Sequence, residues 1–198
     1  MNQPEEQVLI EKYAKFVCNS ERWIFTAKKL LASASLVEPE IIKRWKSIHD
    51  SIFKGESDNV NDEFSAHHFQ SVYLMLVAYA LENLMKGYLI DRDKESLRRE
   101  ILSKARLPSA LVTHNLTTLA SQCKLKMTVE EQVVFRRLSK HSNWIGRYPF
   151  AKNYRDFFHL SPMNKIPSTG IAWSSSEIEE IKQLVRKVCR KIGVKVSF

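Results

Sequence analysis

Glycine and proline are scarce in this chain, 5 and 6 among 198 residues, and no run of alternating apolar and polar residues lies between turn signals. A sheet-based fold draws on both features, so a mainly helical protein is expected. Cysteine is scarcer still. Cys18, Cys123 and Cys189 are far apart, odd in number and in no metal-ligand spacing, which reads as reduced, mostly buried thiols. No segment reaches the roughly 20 consecutive apolar residues of a membrane span; the longest apolar run, residues 72–81, is flanked by polar Gln70, Ser71, Glu82 and Asn83. The opening MNQPEEQVLIEKY is acidic, without the basic region and apolar run of a secretory signal, so a cytoplasmic protein with no membrane contact is expected. A Gly-rich phosphate loop, an HExxH pair and a nucleophile elbow are all missing. His67 and His68 are adjacent and would point about 100° apart on a helix, unsuited to sharing one ion. Neither a metal nor a cofactor is expected.

What the chain does contain is a central apolar helix. Residues 65–90, SAHHFQSVYLMLVAYALENLMKGYLI, form the longest stretch without a helix break, and 72–81 are apolar or aromatic at every position. A helix apolar all round must be covered on several sides, so other helices pack around it. With 44% hydrophobic residues, the chain suits one domain with a sizeable core, spanning 1–198. The net charge of +9 and pI near 9.5 make an anionic partner plausible, nucleic acid foremost, although a basic surface also serves solubility.

Along the chain, Pro4 with Glu5 and Glu6 starts a helix. Asn19 and Ser20 leave open whether one long helix or two consecutive ones carry Val8 to Leu31. A further unit, 39–54, carries Ile41, Ile42, Trp45, Ile48 and Ile52 and stops at Gly55; GESDNVNDE, 55–63, reads as a loop. After the central helix, the charged connection 91–96 leads to a half-exposed helix, 97–105, that Pro108 terminates. Residues 113–123 read as a short capped helix with Leu116, Leu119 and Ala120 inward. Thr128 and Glu131 form a capping-box pattern, followed by Val133, Val134, Leu138 and Ile145 up to Gly146. A long irregular segment, 147–173, precedes the last helix, which opens at a serine cluster with Ser176 and Glu179 at capping-box spacing and ends near Gly193. Its stripe of Ile178, Ile181, Val185, Val188 and Ile192 faces inward. Lys182, Arg186 and Arg190 form a basic row, read as a solvated face or a phosphate-contacting one.

Three segments, ALENLMK (80–86), HNLTTL (114–119) and RYP (147–149), taken in order, resemble the motifs of HEPN-domain proteins. The resemblance covers residues 65–149. It implies an all-helical bundle, frequent homodimerisation and, in many members, a metal-independent ribonuclease built on an Arg followed after four to six residues by a His. Arg136 and His141 match that spacing. The chemistry is sound: a histidine moves protons near neutral pH at the ribose 2'-hydroxyl and the leaving oxygen, while an arginine fork stabilises phosphate charge. Five positions apart on a continuous helix means about 140°, so the two converge only where the helix ends or a second protomer supplies the partner group. If Arg147 is instead the functional arginine, no histidine follows at the right interval and the chain is a catalytically silent member.

The expected cleft lies near the junction of Trp144 and Tyr148, with Arg136, His141 and Arg147 as candidate catalytic residues and Glu82, Lys86, His114, Trp144 and Tyr148 as candidate binding residues. Each also has a plainer role. Glu82 and Lys86, four apart, form an ordinary ion pair, or Glu82 holds Arg147. His114 caps its helix or bonds to the backbone, or lines the site. Trp144, Tyr148 and Phe150 are core and loop anchors or a stacking platform for bases. The reading is an RNA- or nucleotide-engaging protein, as a nuclease in a toxin, defence or RNA-processing setting, or as a silent module that recognises a protein, nucleotide or RNA partner.

Overall fold

The computed structural model describes residues 3–54, 60–142, 175–196 and 198. Among the described residues it is an all-α bundle without strands, built from α1 (Gln3–Val17), α2 (Ser20–Lys54), α3 (Val60–Lys104), α4 (Ser109–Val112), α5 (Leu116–Gln122), α6 (Val129–Lys140) and α7 (Ser175–Ile192). None of these helices is long and apolar enough to cross a membrane. The stretch 147–173 lies outside the described residues.

α3 is the spine. No side chain from Phe69 to Ile90 is exposed, as an all-round apolar surface requires, and α2 packs along it more extensively than any other helix. α5, α6 and α7 cover the remaining sides of its apolar run and share one core with α2, which includes Leu31, Tyr73, Leu81, Leu119, Phe135 and Val185. A second cluster, Ala14, Val17, Cys18, Ile90, Leu97, Ile101 and Leu111, joins α1 and α4 to the later part of α3. All three cysteines are free and buried, and burial pushes the Cys123 thiol up to about 12 and Cys189 to about 11.

One boundary left open by the sequence is decided, and three others differ from expectation. The chain does break after Val17, where Asn19 Oδ1 accepts the Arg22 N–H (3.4 Å) to start α2. α2 then runs unbroken through Pro39, so 39–54 is not a separate unit. Proline removes a single backbone bond at a cost of roughly 3 kcal/mol, and the buried stripe Ala27, Leu31, Ala34, Ile41 keeps its helical spacing across that point, which outweighs the loss. α3 likewise starts by Val60, inside the expected loop, and continues beyond the expected connection at 91–96 to Lys104. The non-helical residue is Asp93 alone (φ −114°, ψ 21°). Arg92 grips the Asp93 carboxylate and donates to the Gln122 carbonyl (2.8 Å), tying the bend to the end of α5.

Several other signals hold. Asn115 caps α5 by accepting from the N–H groups of Thr117 and Thr118, and Leu116, Leu119 and Ala120 are fully buried. Thr128 and Glu131 form the reciprocal capping box, although Val133 faces solvent and Phe135 takes the inward position. Gly193, at φ +72°, ends α7 in the left-handed conformation that glycine adopts without strain. The basic row of α7 is partly structural: Lys182 pairs with Glu38 of α2 (2.9 Å) and Arg186 with Glu179 (3.1 Å), while Lys187 reaches Glu131 of α6 (2.6 Å).

α2 approaches α3 closely at Gly87, where a Cβ would stand 3.1 Å from Ile24 Cγ1 and 3.3 Å from both the Ser20 carbonyl oxygen and Trp23 Cβ. Gly87→Leu therefore forces the start of α2 away. It is expected to lower the unfolding free energy by about 1–3 kcal/mol, measured by urea denaturation; unchanged stability would show that the two helices do not meet there.

Candidate functional site

The apolar spine carries two charges where its two cores adjoin. Glu82 and Lys86 lie one turn apart on α3, and the Lys86 ammonium donates to Glu82 Oε1 at 2.7 Å. Their side chains retain only 7% and 4% exposure, so the pair is buried, not on a wet edge. Trp23 of α2 covers it, with Lys86 Nζ 5.8 Å from the ring centroid, and the indole N–H is spent on the Val17 carbonyl (3.0 Å) at the end of α1.

His114 reaches the same carboxylate from the loop before α5. Its Nδ1 lies 3.1 and 3.0 Å from the two Glu82 oxygens. A carboxylate only accepts, so the ring donates through Nδ1–H and keeps Nε2 as its second functional atom. Half of the side chain, 54%, is exposed. His114 is thus neither the cap of α5, a role Asn115 fills, nor a core residue. It is a surface ring oriented by a buried carboxylate that a buried lysine holds in turn.

The end of α6 is stitched to this region. Ser139 Oγ accepts the Leu116 N–H (3.0 Å) and donates to the Phe135 carbonyl (2.8 Å). The Tyr79 hydroxyl donates to the Ser142 carbonyl (3.0 Å), and the Ser142 hydroxyl to the Ser139 carbonyl (3.0 Å). Nothing in the sequence singled out Tyr79, Ser139 or Trp23. A serine on the buried face of an otherwise apolar helix stripe is the available signal for Ser139.

Arg136 and His141 are not brought together within the chain. Arg136 is on the exposed face of α6 with its Nε–H donating to the Gln132 carbonyl (3.3 Å). His141 follows the last regular turn and is 2% exposed. Burial, with a smaller contribution from the nearby Arg137 cation, pushes its ring down from 6.5 to about 3. A histidine so placed is neutral and shielded near pH 7, the reverse of a solvent-facing proton shuttle. Arg147, Trp144 and Tyr148 lie outside the described residues, as do Phe150 and the 143–146 end expected for this helix. Among the described residues no three of His, Cys, Asp and Glu are grouped as metal ligands.

The chain matches no family model, no curated protein and no solved structure. The chemistry has to be read from its own residues.

Two outcomes test this geometry. Lys86→Met leaves Glu82 buried with only His114 and is expected to cost about 3 kcal/mol or more in stability. Adding Glu82→Leu should restore much of that loss, because removing both charges also removes their desolvation cost. Strictly additive effects in urea denaturation would mean the pair does not interact. His141 gives a pH signature. The unfolded ring takes up a proton near 6.5 and the folded one only near 3, so its contribution is fully present above about pH 6.5 and declines as the pH falls toward 3. Between pH 7 and pH 5 the wild type should lose about 2 kcal/mol more than His141→Gln; equal losses would place His141 in water.

Proposed function

We propose that this chain is a HEPN-like, cytoplasmic helical module that engages an anionic partner, RNA or a nucleotide, without cutting it through Arg136 and His141. The observation that carries this reading is the burial of His141, the proton-moving candidate, on a helix whose opposite, exposed face holds Arg136. The net charge of +9 supplies the long-range attraction that phosphate binding uses. Homodimerisation belongs to the same proposal through the family resemblance.

A second reading rests on His114. Its ring is oriented through Nδ1 by Glu82 and is half exposed, the arrangement in which a histidine takes or gives a proton at Nε2. If the chain cuts RNA, His114 is the group to do it, with Glu82 as the residue that positions it.

One experiment separates the two. Single-stranded RNA is incubated in excess chelator with wild type, His141→Gln and His114→Ala. The binding reading predicts intact RNA in all three and an affinity that falls steeply as salt rises, since phosphate contacts release counterions. Cleavage retained in His141→Gln and lost in His114→Ala would establish the second reading instead, and cleavage lost in His141→Gln alone would overturn both.

A further inference from the structure

The corner where α1 meets α2 shows an arrangement that the bundle does not need for its own packing. Phe16 and Phe25 are 58% and 59% exposed and line one hollow together, the contiguous apolar exposure that marks an interaction surface. Between them, Phe16, Trp23 and Phe25 line a pocket of about 370 Å³, into which Arg22, Thr26 and Asn83 also contribute. That volume suits a small planar ligand. The polar atoms are of definite type. The Trp23 indole N–H is already committed to Val17, so this residue offers only its ring. The Thr26 hydroxyl donates to the Arg22 carbonyl (2.9 Å) and Asn83 Nδ2 to the Tyr79 carbonyl (2.7 Å), which leaves the oxygens of both side chains as acceptors.

Cations alternate with these rings. Arg22 lies 4.2 Å over Phe16 and Lys29 lies 4.5 Å over Phe25. Arg22 and Lys28 border the adjoining hollow with Phe25, where Glu21 is the one carboxylate. Several cations elsewhere are used internally, as in Lys86–Glu82, Lys182–Glu38 and Lys187–Glu131. Among the described residues Arg22, Lys28 and Lys29 take part in no salt bridge. Exposed aromatic rings, each with a cation over one face and no carboxylate pairing that cation, match a chain of stacked bases joined by phosphates. The same charges disfavour a second copy of this chain, because two-fold pairing of the corner would set its three cations against those of the partner.

We propose that the α1–α2 corner binds single-stranded nucleic acid, one base entering the pocket among Phe16, Trp23 and Phe25 and the flanking phosphates meeting Arg22, Lys28 and Lys29. This deepens the RNA reading above and rests on it, while giving the ligand a location whose lining includes neither Arg136 nor His141. The bases stack because every base has a π-face, so affinity follows strandedness more than sequence.

The test is fluorescence anisotropy with a labelled 12-nucleotide single-stranded RNA, the DNA of the same sequence and the matching RNA duplex. Phe16→Ala and Phe25→Ala change exposed side chains, so thermal unfolding should be unaltered while Kd for the single strand rises about tenfold for each. Arg22→Gln should lower the salt slope by about one unit. Tighter binding of RNA than of DNA identifies RNA as the ligand, and equal binding supports the broader class. Wild-type binding that the Phe16→Ala, Phe25→Ala double variant leaves unchanged overturns this location but keeps the RNA reading, and binding of neither strand at low salt overturns both. Equal affinity for the duplex, or loss of a dimer in Phe16→Ala by sedimentation, overturns the proposal in favour of duplex contact or a second copy.

Discussion

A lysine and a glutamate inside a helix that is covered on every side impose a constraint on everything packed against it. Either charge alone in that position would be strongly unfavourable; together, at 2.7 Å, they are tolerable only if the remaining polar valences are met and water is kept out. Trp23 provides the cover, and it lies close enough because Gly87 lets the start of α2 approach α3. His114 provides the second partner, and it is held in place because Asn115 caps α5 and Ser139 secures the Leu116 N–H. The α1–α2 corner, the loop before α5 and the end of α6 thus take their positions from one ion pair on α3.

The consequence for function is a division between what the charges do inside and outside the bundle. Glu82 and Lys86 are committed to each other, and on α7 Lys182 and Lys187 are tied to α2 and α6. His141 is withdrawn from water and kept neutral. Groups that face solvent include the half-exposed ring of His114 and the cations Arg22, Lys28 and Lys29 at the α1–α2 corner. Under the binding proposal, the buried His141 and the exposed Phe16 and Phe25 fit holding a nucleic acid rather than cleaving it.

Much of the fold was legible in residue periodicity. The all-round apolar run from Val72 to Leu81 announced the spine, and the Thr128–Glu131 box, the inward face of 113–123 and Gly193 marked ends that the structure keeps. Proline at position 39 misled because local propensity counts one lost hydrogen bond, whereas the continuous stripe on α2 decides the outcome. The charged stretch 91–96 misled for a related reason: solvent-facing charges suit a loop and an exposed helix equally, and only Asp93 leaves helical geometry. Of the site, the Glu82–Lys86 spacing was readable, but its burial and its link to His114, 32 positions away, depend on how α5 docks on α3. The Arg136–His141 spacing invited a catalytic pair because sequence distance does not report which face of a helix is buried.

The central claim is that His141 is a neutral, dry residue and that the chemically available ring is His114. Nitrogen NMR of the histidine rings across pH 4 to 8 tests this directly. His141 is expected to keep one neutral tautomer through the whole range in which the protein stays folded, with the His114 Nδ1 carrying the proton shared with Glu82. Protonation of His141 near pH 6.5 in the folded protein would contradict it.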